Sequence, residues 1–260
     1  MDILDRIFEH KKARLKEAKS RTPIMEVRKR AKDTPRPLDF KKAIKRSPDG
    51  PVNFICELKK ASPSKGLIRE EFNPIEIADI YGDEGASAIS VLTEEDFFQG
   101  NLEYLKAVRG VVDIPLLRKD FIFDEYQIYE SRAWGADAVL LIAAMLSRSQ
   151  AEELSALSAE LGLAVLFEVH HWKEVDTALL LDMPIIGINN RNLKTLQIDL
   201  QTTVELLKDI PPDRVVVSES GISTRADVEF ISAHRVDAIL IGTAIMKAED
   251  IRARIRELFK

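Results

Sequence analysis

A closed (β/α)8 barrel, the TIM-barrel class of α/β fold, with an N-terminal helical extension is the architecture this sequence predicts. Three observations carry it. From residue 52 onward, eight short apolar runs recur. Amphipathic segments of helical spacing lie between them. The runs are nearly continuous in apolar character, as parallel strands buried on both faces require. Eight such units in about 210 residues sit at the compact end of the usual barrel range. A doubly wound open sheet is the structural alternative. It usually has fewer strands and often a glycine-rich first turn, and the first turn here, KKASPSKG, is not GxGxxG.

The elements follow in order. In residues 2–19, Ile3, Leu4, Ile7, Phe8 and Leu15 recur at roughly helical spacing with Lys and Arg between them, which predicts a surface helix with one apolar stripe. RTPIMEVRKRA restarts a helix with Pro23 at its opening, and DTPRPLDF breaks it. Residues 1–46 are thus read as the extension and 47–260 as the barrel, within a single domain. The predicted strands are VNFICEL, ASAISVL, DIPLL, ADAVLLI, LAVLFEV, PIIGIN, RVVVSES and VDAILIG. The predicted helices are 74–84, 101–109, 124–134, 149–161, 171–181, 201–208, 224–233 and 247–258.

Composition excludes several classes. Apolar residues are 45% and charged residues 31% of the chain, so extensive disorder is not expected. No apolar run approaches the roughly 20 residues of a membrane span. The opening MDILDRIFEHKKARL is charged throughout and does not read as a secretory signal. One cysteine, Cys56, rules out an internal disulfide framework and fits a reducing cytoplasm. The only histidine cluster is His170–His171, and neighbours on one strand point to opposite faces, so no metal site is expected. A net charge of −5 does not suggest a nucleic-acid binder. The charge is uneven: residues 1–46 hold 16 Lys or Arg against 7 Asp or Glu. Either a basic extension lies on an acidic body, or the segment also attracts an anionic ligand.

Barrel chemistry sits at the C-terminal ends of the strands. The first strand ends ICELKK, with Glu57 and Lys59 two apart and so on one face with Ile55. The third ends with Lys119 on the face of Leu117, and the fifth puts Glu168 on the face of Leu166. The sixth delivers Asn189 and Arg191, and the seventh Glu219 on the face of Val217. Any one of these could be a solvated strand tip. Five strands delivering inward-phased polar groups to one end suggest a site, because buried charges are costly unless paired. Ser220 and Gly221 after strand seven, with Gly242 and Thr243 after strand eight, match the usual barrel phosphate site, the alternative being that both glycines merely shape tight turns. Phe97, Phe98 and Phe121 either cap the core or hold an apolar part of a ligand.

Together these stretches resemble the indole-3-glycerol phosphate synthase family. ELKKASPSKG, SVLTEEDFFQG, LLRKDFI, GADAVLLI, FEVH, GINNRNL, SESGI and IGTAIM occur in that family's order over almost the whole chain. Departures are small: Asn101 where serine is expected, Phe167 where a smaller residue is common, and Thr243 where serine or glutamate can stand.

The resemblance implies a carboxy-lyase of tryptophan biosynthesis. It closes 1-(2-carboxyphenylamino)-1-deoxyribulose 5-phosphate to indole-3-glycerol phosphate, losing carbon dioxide and water. It implies Lys119 as the acid for the ketone oxygen, with a pKa lowered by nearby cations or desolvation. Lys59 would bind the substrate carboxylate or act as the acid for loss of hydroxide. Glu168 would be the base. Glu57 and Glu219 would orient the lysines and bond the sugar hydroxyls, and Asn189 would hold the developing hydroxyl. Arg191, Ser220, Gly221, Gly242 and Thr243 would hold the phosphate, and Phe98, Phe121 and Leu140 the ring. No metal or organic cofactor is called for. The one expected partner is the small phosphorylated substrate, with no nucleic acid and no membrane. The sequence carries no signal for or against association with other enzymes of the pathway.

Two rivals differ in observable ways. A phosphoribosyl-anthranilate isomerase-type barrel would show an early cysteine and aspartate pair, whereas this chain has the lysine pair of Lys59 and Lys119. A non-catalytic phosphate-ligand barrel would have no need of so many opposed charges.

Overall fold

The computed structural model describes residues 3–260, so Met1 and Asp2, part of the predicted extension, lie outside the described residues. The eight barrel strands are β1 (Asn53–Leu58), β2 (Ala88–Leu92), β3 (Leu116–Lys119), β4 (Ala138–Ile142), β5 (Ala164–Val169), β6 (Ile185–Asn189), β7 (Val215–Glu219) and β8 (Ala238–Ile241). Each is parallel to the next, and β8 pairs β1 to close the barrel. All eight fall within or against the predicted runs. The third differs most: it starts at Leu116 and carries Arg118 and Lys119 inside the strand.

Alternation along each strand divides the core in two. Ile55, Ala88, Leu117, Ala138, Leu140, Leu166, Ile185, Val217 and Leu240 fill the barrel interior. Their neighbours, such as Cys56, Ile89, Leu116, Val139, Phe167, Ile186, Val216 and Ile239, pack outward against the surrounding helices. Burying each large side chain contributes about 1.5–3 kcal/mol.

The extension forms α1 (Ile3–Arg21), α2 (Ile24–Asp33) and α3 (Phe40–Ile44). Asp39 caps α3 by accepting from Lys42 N at 2.9 Å. Phe40 and Ile44 of α3 join the interior cluster and plug the end of the barrel opposite the strand tips. There Asp137 accepts from Leu38 N and Leu116 N, both at 2.7 Å, tying the extension to the sheet. The other face of the extension meets acidic residues of the barrel: Arg14 pairs Asp96 at 2.6 Å, and Lys19 pairs Asp124 at 2.8 Å.

The predicted outer helices form close to their expected bounds, with one exception. Residues 247–258 were expected as one helix, but a short helix, Thr243–Met246, precedes Ile251–Phe259. Asp250 starts the second by accepting from Ala253 N at 2.9 Å. A small antiparallel hairpin, Ala61–Ser62 with Gly66–Leu67, lies in the loop after β1 and was not foreseen. Among the described residues, no helix is long and apolar enough to cross a membrane.

Candidate active site

At the C-terminal ends of the strands a cavity of about 480 Å³ opens. Glu57, Lys59, Lys119, Glu168, Asn189, Arg191 and Glu219 all line it. The two loops with Ser220–Gly221 and Gly242–Thr243 line it too, as do Phe98, Phe121 and Leu140. Of the residues named from the strand ends and their loops, all but Phe97 line the cavity. Ile3, Leu4 and Ile7 of α1 form part of the same wall.

The polar ring is paired across strands. Lys59, just past β1, forms an ion pair with Glu57. Lys119 Nζ lies 3.2 Å from Glu168 Oε2 and 3.6 Å from Glu219 Oε2. Glu219 Oε1 is buried without a hydrogen-bond partner. Two glycines leave room for these carboxylates. A β-carbon at Gly187 would collide with Glu219 Oε1, and one at Gly242 with Glu57 Oε2. Gly242 thus has a steric reason to be glycine besides access for an anion.

These distances overturn one expectation. Lys119 was expected to have a lowered pKa. Burial does pull in that direction, but Glu168, Glu219 and Glu57 outweigh it and hold the ammonium above its ordinary value. Glu168 shows the reciprocal effect. Burial disfavours its charge, yet Lys119, then His170 and Asn189, hold it far below the usual carboxylate range. Burial pushes Glu219 up to about 8; Lys119 opposes this, while Glu168 and Glu57 reinforce it. The two carboxyls flanking the charged lysine are thus pushed apart, Glu168 down and Glu219 up.

Glu219 gives a stability prediction. Its folded pKa is raised, so its contribution is complete below the ordinary value near 4.5 and is lost as pH rises through about 8. Glu219→Gln should raise Tm by about 3 °C at pH 9 and by much less at pH 5. Thermal unfolding at the two pH values checks this; an equal change at both would contradict it.

The turn after β7 is held in an unusual backbone conformation. Ser220 has φ 66° and Gly221 φ 92°, a region that costs a residue with a β-carbon some energy. Asn190, next to the predicted Asn189, fixes it. Its Nδ2 donates to Ser218 Oγ and Ser220 O, both at 3.0 Å, and to Glu219 O at 3.1 Å. Its Oδ1 accepts from Thr203 Oγ1 at 2.7 Å. Asn189 Oδ1 accepts from Arg191 N at 3.0 Å, and Arg191 Nη1 donates to Leu196 O at 3.2 Å.

The aromatic residues separate. Phe98 and Phe121 face one another across the cavity wall, ring centroids 6.1 Å apart. Phe97 turns away to pack edge-on against His10 of α1. The histidine doublet also departs from expectation. It lies past the end of β5, where strand alternation no longer applies, and both rings reach the same carboxylate. His170 Nδ1 is 3.3 Å from Glu174 Oε2, and His171 Nε2 is 3.2 Å from Glu174 Oε1. His170 Nε2 is 3.3 Å from Glu168 Oε1, out of line for a full hydrogen bond.

LLRKDFI is resolved by the same alternation. Lys119 points into the mouth, while Arg118 and Asp120 point outward and are buried. Asp120 Oδ1 lies 2.9 Å from Lys11 Nζ of α1, and Asp120 Oδ2 accepts from Arg118 Nη2 at 3.0 Å and Thr93 Oγ1 at 2.6 Å. The charged triplet thus serves two sites on opposite faces of one strand.

Fold and charged mouth define a (β/α)8-barrel enzyme. Among solved structures, 3-hexulose-6-phosphate synthase from Salmonella typhimurium aligns with a TM-score of 0.66 at 14% identity, covering 80% of this chain and 96% of that one. Thiamine phosphate pyrophosphorylase from Pyrococcus furiosus aligns with a TM-score of 0.57 at 17% identity, over 85% and 96%. At such identities the likeness is one of fold. Sequence comparison is sharper. The family model described as indole-3-glycerol phosphate synthase matches residues 4–258. The indole-3-glycerol phosphate synthase of Variovorax paradoxus is 47% identical, over 100% of this chain and 99% of that protein. The one from Dehalococcoides mccartyi strain CBDB1 is 50% identical, over 98% and 99%. The chain belongs to the indole-3-glycerol phosphate synthase family, carboxy-lyases of tryptophan biosynthesis.

Proposed function

We propose that this mouth closes the pyrrole ring of 1-(2-carboxyphenylamino)-1-deoxyribulose 5-phosphate, with the roles divided as follows. The phosphate rests between the Ser220–Gly221 and Gly242–Thr243 loops with Arg191 beside it. The anthranilate ring lies against Leu140, Phe98 and Phe121. This aims the ketone at Lys119. The ring carbon bearing the carboxylate attacks the ketone carbon, and Lys119 gives a proton to the ketone oxygen. Carbon dioxide then leaves, its bonding electrons returning to the cationic ring. Hydroxide departs with a proton from a lysine, while Glu168 takes a proton from the neighbouring methylene to complete the indole. Asn189 holds the departing hydroxyl. Glu57 orients Lys59, and Glu219 orients Lys119. Lys59 binds the substrate carboxylate or supplies the second proton.

The observation that carries the reading is Lys119 held 3.2 Å from Glu168 in the cavity that both loops line. An ammonium and a carboxylate so placed can give one proton and take another within one bound substrate. A single buried cysteine supports a reducing, cytoplasmic setting. The test is incubation of the purified protein with the carboxyphenylamino-deoxyribulose phosphate in the presence of EDTA. Indole fluorescence is expected. Bound substrate with no fluorescence would reduce the mouth to a binding site.

A further inference from the structure

Behind the site lies a chain of titratable groups that the roles above leave unused. Glu168 shows one oxygen to Lys119 and the other to His170. His170 is nearly buried, and its other ring nitrogen faces Glu174 at 3.3 Å. Glu174 lies in the first turn of the helix Trp172–Leu180 and is itself buried. It also accepts from His170 N at 2.6 Å. A carboxylate thus lies within ion-pair distance of each ring nitrogen, a setting that favours the doubly protonated ring. We propose that His170 is a positioning residue for Glu168: clamped as an imidazolium by Glu174, it fixes the second oxygen of Glu168 and keeps that carboxylate ionised between proton transfers.

The charged groups around the ring agree. Glu168 faces it from β5 and Glu174 from the following helix, with Glu219 of β7 further off. Burial pulls its pKa down, but Glu168 and Glu174 outweigh burial and push it up to about 9. Of the two cations, Lys119 meets Oε2 of Glu168 and His170 lies on the side of Oε1. With His170 in place, both oxygens are addressed by cations from different directions.

The inference rests on Glu168 being the base, and the experiment separates the two claims. The profiles of kcat and kcat/KM against pH would be measured for the wild type, His170→Gln and Glu168→Gln. With the imidazolium gone, kcat of His170→Gln should fall about tenfold near pH 7 with KM little changed, and the basic limb that loss of the His170 proton gives the wild-type kcat profile near pH 9 should vanish. A kcat profile that keeps the wild-type shape, with a lowered Tm, would overturn the proposal and leave His170 as a packing and helix-start residue. Near-normal activity in Glu168→Gln would instead overturn the reading of the base itself. If His170→Gln does not fold, the wild-type protein decides. Nitrogen-15 NMR at pH 7.5 should show both ring nitrogens of His170 protonated, and a neutral tautomer there would overturn the proposal.

Discussion

Lys119→Ala is expected to fold and to lose turnover by about a thousandfold or more, as measured by product fluorescence. The size follows from its place. Lys119 is the cation between Glu168 and Glu219, and the proposed pose sets the ketone oxygen against it. Its raised pKa keeps it charged throughout the neutral range, so in the proposed reaction it would be a fully formed donor and a fixed positive charge for the new alkoxide. The fold survives because the ring can neutralise itself. Burial already pushes Glu219 up, and removing Lys119 raises both neighbouring carboxyls further, so they take up protons rather than stay as bare buried charge. The loss should fall on kcat more than on KM. A folded variant with near-normal activity would remove Lys119 from the chemistry.

Asp120→Asn should be the most damaging change to stability, lowering Tm by about 10 °C. Asp120 is buried and answers two buried cations, Lys11 and Arg118. A neutral amide leaves both with too little compensation, a loss of about 3–5 kcal/mol. The pH dependence follows from the same group. Lys11 and Arg118, with the hydroxyl of Thr93, hold Asp120 at about 2 against the cost of burial. Its contribution is therefore complete above its ordinary value of 3.8 and lost as pH falls through about 2. The gap in Tm between wild type and variant should narrow over that window. Because Lys11 lies on α1, the variant should also speed hydrogen exchange in Ile3–Arg21. An unchanged Tm at pH 7 would mean that the network contributes nothing net.

Much of the mouth was legible because strand alternation is strict in a barrel buried on both faces. Counting by twos from Ile55, Leu117, Leu166 and Val217 places Glu57, Lys119, Glu168 and Glu219 inward. Where the chain leaves the strand, that rule ends. His170 and Asn190 sit one residue past β5 and β6, and their partners, Glu174 and Thr203 on helices and Ser218 on the neighbouring strand β7, are not registered by the periodicity of any one strand. The direction of the Lys119 shift was missed for a related reason. It depends on three carboxylates from three strands converging on one ammonium, and distances between strands are not written in any one of them. The Arg118–Asp120 pair was hidden likewise, since Lys11, the second cation on Asp120, lies 109 residues from it. Gly242 could be read only as a turn or phosphate glycine until Glu57 was seen to occupy the space above it, and Glu219 fills the same space above Gly187, which strand alternation gave no reason to single out.

The proposed chemistry requires one pose of the substrate in this mouth, and a crystal structure with indole-3-glycerol phosphate bound tests that pose most directly. The phosphate should lie between Ser220–Gly221 and Gly242–Thr243. The indole ring should lie on Leu140 beside Phe98 and Phe121, with Lys119 and Glu168 at the five-membered ring. A phosphate held elsewhere, or a ring placed beyond the reach of both Lys119 and Glu168, would contradict the assignment.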